Sequence, residues 1–267
     1  DEGTDALRAY FRETVFTFSL EEAIGISLTL YYYYPHLVSL TDEELEQYQE
    51  LSLKIARLAH GKDDQKQEAL EMLLIRRARL LNNTQNKLSI LAELINGQKH
   101  VEHTLFYCTP EQIDAVLQLL GWEKGLLIHR FTAQENTKER QQLLADFASG
   151  KLQALVAMKC LDEGVDVPST DTAYILASSG NPREFIQRRG RILRKAPGKE
   201  YSYIHDLIAV PPTSHTNLLD SSTFASERSI IRKELQRFKE FANLALNKHH
   251  AIDVIWDIAK RYSSMDF

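Results

Sequence analysis

Cysteine is nearly absent from this chain. Cys108 and Cys160 are the only two in 267 residues. Each sits among apolar neighbours in a stretch that reads as a strand, so no disulfide framework is built in and a reducing compartment fits. Long apolar runs are missing too: no stretch could span a bilayer as a helix, and no charged-then-apolar leader opens the chain. These absences predict a cytoplasmic protein without a membrane partner. The opening Asp-Glu-Gly, in place of Met, predicts a piece of a longer polypeptide. Metal-ligand spacing is equally scarce. His100 and His103 lie three apart and His249 and His250 are adjacent, but neither pair has a third ligand close by in sequence, and no metal site is expected.

Excess charge is also lacking, since the formal net charge is -5. The field of the whole molecule therefore does not favour nucleic acid, and any contact with a polyanion has to come from local charge. One place supplies it. The segment "FIQRRGRILRK", residues 185–195, crowds Arg188, Arg189, Arg191, Arg194 and Lys195 together with Glu184 as the only acid nearby. On a helix Arg188, Arg191 and Arg194 fall along one side and Arg189 is offset. Arginine's fixed fork suits phosphate oxygens, whereas an ordinary solvated helix face mixes Lys with Glu.

A hydrophobic fraction of 43% fills an ordinary core, and its spacing divides the chain. From Thr41, "TDEELEQYQELSLKIARLAH" carries a capping box (Thr41, Glu44) and helical periodicity up to Gly61. A second helical stretch starts near Asp64, is interrupted around Asn82 and Asn83, and stops near Asn96 and Gly97. From "HTLFYCTP" onward, short apolar strands alternate with helices: "GLLIHRF", "LQALVAM", "TAYILAS" and "YSYIHDL" are strands, while "TKERQQLLADFASG" and "NPREFIQRRGRI" are helices. That alternation predicts an α/β fold with a parallel sheet covered on both faces. Three parts follow: a mostly helical segment 1–100, the sheet domain 101–210, and a helical extension 211–267 entered through Pro211 and Pro212. Tyr31 to Tyr34, before Pro35, fit a packed strand or extended linker, with base stacking as the alternative. The alternating Arg, Lys and Glu of residues 227–240 read as a solvated helix face.

In an open parallel sheet, ligands bind beyond the carboxyl ends of the strands. The loop "KCLDEGVDVPST" leaves such an end with Asp162, Glu163, Gly164 and Asp166, although a plain surface turn has the same composition. At this point the residues carry a resemblance. "LVAMKCLDEGVDVP" and "NPREFIQRRGRILR" resemble motifs V and VI of superfamily 2 helicases and translocases. "HTLFYCTP" is similar to motif IV, and residues 16–48 are similar to the segment joining the two motor domains in XPB-like and restriction-type members.

The resemblance implies a RecA-like three-layer domain with an N-terminal helical connecting segment and a C-terminal helical extension. It implies ATP with Mg2+ clamped between two such domains, with Arg191 and Arg194 reaching the γ-phosphate as catalytic arginines. Gln187 and Arg188 are implied near the nucleotide, and Glu163, Gly164 and Asp166 at the ribose and the coupling path. Lys159 stands beside Met158, where many relatives carry a phosphate-contacting hydroxyl, and is the substitute for that contact. Thr109 matches a nucleic-acid backbone contact, with a simple helix cap as the alternative. Gln187, where RNA-directed members carry His, leans the implied partner toward DNA. The chain has no G-x-x-x-x-G-K-[ST] and no Asp-Glu-x-His or Asp-Glu-x-Asp closing a strand. The expectation is a second motor domain, inactive as an ATPase alone, whose partner is the N-terminal RecA-like domain of the same polypeptide. A non-catalytic RecA-like binding or scaffold module is the alternative.

Overall fold

A computed structural model describes residues 9–11, 19–58, 64–157, 167, 169–177, 189–212 and 221–262. The chain enters its sheet with β1 (Leu30–Ser39), then forms α1 (Asp42–Leu58), α2 (Asp64–Asn82) and α3 (Asn86–Asn96). β2 (Thr104–Tyr107), α4 (Ile113–Leu117), β3 (Ile128–Phe131), α5 (Thr137–Ala148), β4 (Ala154–Ala157), β5 (Thr172–Ile175) and β6 (Tyr201–Val210) follow, and α6 (Ser221–Ala242) and α7 (Lys248–Arg261) end the fold. The six strands make one sheet in the order β1-β6-β5-β2-β4-β3, and every pairing is parallel.

Both faces are buried, as a parallel sheet requires. One face packs Phe106, Val156 and Tyr174 against Leu91 and Ile95 of α3 and Val116 and Leu120 around α4. The other packs Leu105, Leu155 and Ile204 against Phe147 of α5, Ile192, and the apolar sides of α6 and α7. The three layers expected from sequence are present. The capping box at Thr41 forms: the Glu44 N–H donates to Thr41 Oγ1 (3.2 Å) and the Thr41 N–H to Glu44 Oε2 (3.0 Å). The expected break at Asn82 and Asn83 separates α2 from α3.

The sheet also recruits a strand from the segment 1–100. In β1, Tyr31 and Tyr33 are fully buried against α6, with the Tyr33 ring stacked 5.5 Å from Phe241. Tyr32 and Tyr34 point to the opposite face, where Tyr32 stacks on Tyr203 at 5.6 Å and Tyr34 on His205 at 5.1 Å. His205 lies 3.0 Å from His36, and burial, reinforced by that neighbour, lowers it to about 3, so it stays neutral. Pro35 is tolerated because β1 is an edge strand. On its open side, Asn247 receives the Tyr33 N–H (2.8 Å) and donates to the Tyr33 carbonyl (2.9 Å), while the Leu246 N–H donates to the Tyr31 carbonyl (2.9 Å).

The charge alternation of α6 is only in part the solvated face that it suggests: Arg232, Lys233 and Glu240 are exposed, but three of its charges are buried. Glu227, Glu234 and Arg237 are all buried. Arg237 donates twice to the fully buried Asp206 of β6, both at 3.0 Å, and once to Glu234 at 2.8 Å, while the Tyr33 hydroxyl donates to Asp206 at 2.9 Å. Burial alone would lower Arg237, but the two carboxylates outweigh it and hold it well above its ordinary value. Glu227 accepts from the Tyr262 hydroxyl at 2.6 Å, which ties α7 to α6. Sequence spacing shows which side of a helix bears charge, but not whether an inward-facing carboxylate waits there. Removing Arg237 leaves buried carboxylates uncompensated, so Arg237→Met is expected to destabilise the fold by about 3–5 kcal/mol. Urea denaturation checks this, and a loss well under 1 kcal/mol would count against the network's role.

Candidate functional site

The arginine cluster straddles a helix end. Residues 189–192 are helical, Leu193 turns, and Arg194 forms an isolated antiparallel bridge with Leu28, so Arg194 lies one step past the helix. Ile192 and Leu193 are fully buried, Arg191 is half-buried, and Arg194 is exposed. A helix end leaves carbonyls without partners, and here distant residues supply the donors. The Thr29 N–H (2.7 Å) and hydroxyl (3.0 Å) both donate to the Leu193 carbonyl. Ser202 Oγ donates to the Ile192 carbonyl at 3.2 Å, and Lys199 Nζ donates to the carbonyls of Ile192 (2.5 Å) and Arg194 (2.9 Å). An ammonium at this position also complements the negative end of the helix.

The cluster's positive charge is not all directed outward. Arg189 is 4% exposed. Its guanidinium donates to the Glu240 carbonyl, lies 5.6 Å over the Phe241 ring, and approaches the Glu240 carboxylate at 4.0 Å. Lys195 Nζ donates to the Gly25 carbonyl at 3.2 Å. Arg189 is thus turned inward, whereas Arg191, two positions on, is half-buried.

Thr109 follows β2 at the carboxyl edge of the sheet, whereas the 189–194 turn sits beside Leu28, Thr29 and Ser202 at the amino edge. The structure does not bring Thr109 together with Arg191 and Arg194. Thr109 is 9% exposed and its hydroxyl donates to Asn83 Oδ1 (2.5 Å), while its N–H donates to Gln112 Oε1 (3.3 Å), as in a residue opening a helix. Asn83 lines a groove of about 370 Å³ between α1 and α2, where Arg76 and Arg79 face Glu43 and Glu50, so the groove carries no single-sign field. Beneath it, Lys87 is 2% exposed and donates to the carbonyls of Leu81 (2.8 Å), Asn82 (3.2 Å) and Leu176 (2.6 Å), pinning the end of α2 to the end of β5. Gln187, Arg188, Lys159, Glu163, Gly164 and Asp166 lie outside the described residues. Among the described residues, no group of three or more His, Cys, Asp or Glu could hold a metal ion, and no helix is long and apolar enough to cross a membrane.

Sequence reasoning missed Thr29, Lys87, Lys199 and Ser202. Their partners are backbone carbonyls, from 5 positions away for Lys199 to 164 for Thr29, and no sequence motif marks them.

Residues 86–196 match the helicase conserved C-terminal domain. A DNA 3'-5' translocase, XPB2 of Sulfurisphaera tokodaii, is 30% identical over 199 residues, covering 68% of this chain and 44% of that protein. The chain carries a superfamily 2 helicase C-terminal domain. The UvrABC system protein B of Staphylococcus epidermidis is similar to it at 24% identity over 175 residues, covering 63% of this chain and 24% of that protein. The chain therefore spans less than half the length of these curated relatives. Two solved structures share the fold. The Sulfolobus solfataricus SWI2/SNF2 ATPase core in complex with dsDNA superposes with a TM-score of 0.55 at 14% identity, over 79% of this chain and 48% of that one. The C-terminal part of the Fun30 ATPase domain gives a TM-score of 0.50 at 13% identity, over 81% of this chain and 99% of that one. At such identities these likenesses bear on the fold, which is RecA-like α/β.

Lys87, which is buried, and Lys199, which is partly so, give the chain a defined pH response. Burial lowers Lys87 from 10.5 to about 8, and burial also lowers Lys199 from 10.5 to about 8 against the pull of Asp171. Between those values the unfolded chain keeps protons that the folded chain has released, so both groups make stability rise with pH across that window. Side-chain NMR titration, with signals assigned by Lys87→Met and Lys199→Met, is expected to show two lysines with midpoints near 8. Midpoints at the ordinary lysine value would contradict the burial argument. Lys87→Met takes the donor from the Leu176 carbonyl, while Thr84 and Gln112 still donate to the Leu81 and Asn82 carbonyls, and is expected to cost about 1–3 kcal/mol.

Proposed function

We propose that the chain is the second motor domain of an ATP-dependent DNA helicase or translocase. In this reading, ATP with Mg2+ is held mainly by a first RecA-like domain of the same polypeptide, and supplies the phosphoryl group whose transfer drives movement. Arg191 and Arg194 reach that γ-phosphate, with Gln187, Arg188, Glu163, Gly164 and Asp166 serving the nucleotide from motifs V and VI. Thr109 and Lys159 contribute to the nucleic-acid track.

The observation that carries the proposal is the construction of the 189–194 turn. Its backbone carbonyls are held by Thr29, Lys199 and Ser202, while Arg194 is exposed beyond them. Phosphoryl transfer asks for positioned positive charge, and a charge whose backbone is already fixed need not reorganise when the transition state forms. DNA is favoured over RNA by Gln187 in motif VI and by the DNA 3'-5' translocase of which this chain is a partial relative. The chain contains no G-x-x-x-x-G-K-[ST], so the phosphate cradle belongs to the other domain.

The test compares DNA-stimulated ATP turnover of the complete polypeptide with that of Arg194→Ala, with nucleotide binding followed separately. Turnover is expected to fall by about 10³- to 10⁵-fold with binding nearly intact. Unchanged turnover would move the arginine row out of catalysis and favour a scaffold domain.

A further inference from the structure

We propose that Arg189 is a positioning residue, through which the C-terminal helix α6 sets where Arg191 and Arg194 reach; this rests on the catalytic role proposed for those two arginines. Arg189 begins the described part of the turn, yet it is the arginine that the fold consumes internally. Three features of one helix end grip it: the Glu240 carbonyl, the Phe241 ring and the Glu240 carboxylate. The carbonyl belongs to the last turn of α6, where acceptors lack intrahelical donors and a cation is favoured. A guanidinium over an aromatic face, shielded from water, adds to the hold.

This grip is transmitted in both directions. Toward the arginines, the Leu193 N–H donates to the Arg189 carbonyl at 2.9 Å and the Arg194 N–H to the Arg191 carbonyl at 3.3 Å, so the turn moves as a unit. Toward the core, the Tyr31 hydroxyl donates to the Phe241 carbonyl at 2.5 Å, and Phe241 stacks on Tyr33. One helical turn back, Arg237 is locked to Asp206. The end of α6 therefore cannot shift without either stripping a buried charge of its acceptors or carrying the turn with it. A misplacement of about 1 Å at reacting groups can cost about 10²-fold in rate. The extension after Pro212 is thereby part of the arginine site.

The experiment measures DNA-stimulated ATP turnover and thermal melting of the complete polypeptide for Arg189→Ala, Arg189→Lys and Phe241→Leu, with Arg194→Ala in parallel. Arg189→Ala is expected to lower kcat by about 10²-fold with KM for ATP little changed. Arg189→Lys should recover part of that loss, since an ammonium can still donate to the Glu240 carbonyl. Phe241→Leu should lower kcat in the same direction, and combining it with Arg189→Ala should cost less than the two losses multiplied. The proposal is overturned if Arg194→Ala abolishes turnover while Arg189→Lys and Phe241→Leu leave kcat near wild type. A reduced melting temperature with unchanged kcat of the folded enzyme likewise overturns it, since that is what a purely structural arginine gives. Should Arg189→Ala fail to fold, Arg189→Lys and Phe241→Leu decide by the same criteria. Full turnover in Arg194→Ala would instead remove the underlying catalytic reading.

Discussion

Asp206 lies fully buried in the middle of β6, and a carboxylate in that position has to be met by a fixed cation. Arg237 meets it with two parallel hydrogen bonds, and that single requirement decides where α6 sits. With α6 seated, its apolar side closes one face of the sheet over Tyr31 and Tyr33, and its last turn arrives beside Arg189. Desolvating both charges is expensive, so the pair is better regarded as a device for fixing one arrangement than as a source of net stability. The sheet, the extension and the arginine turn share one geometry because of it.

Much of the fold was legible because its elements follow local rules. Thr41 and Glu44 three apart open α1, Asn82 and Asn83 interrupt a helical stretch, and short apolar strands between helices signal a parallel sheet. Each of these depends on neighbours within a few positions. The ten-residue β1 was less legible, since Pro35 and four consecutive tyrosines fit an extended linker equally well. Only the pairing with β6, along Leu30 to Ser39, decides between them.

The site was legible in outline and not in its supports. Residues 185–195 announce a concentration of positive charge, but composition does not say which guanidinium faces outward. Arg189 and Arg191 are two apart; one is spent inside the domain and the other is half-buried at its surface. The donors that hold the turn come from the residues entering β1 and β6, so their role exists only once the sheet has assembled. Arg237 shows the same limit, because its acid partner lies 31 positions away on another layer.

The treatment of the β1 edge has a consequence for how the protein behaves among copies of itself. Asn247 occupies the outward N–H and C=O of Tyr33 as a neighbouring strand would, and two residues on Pro35 has no N–H to offer. A second polypeptide sliding alongside would find no continuous ladder to join. At the far edge, β3 is only four residues long. The sheet is thus blocked at one margin and short at the other, a safeguard against self-association for a domain whose interior is a stack of apolar parallel strands.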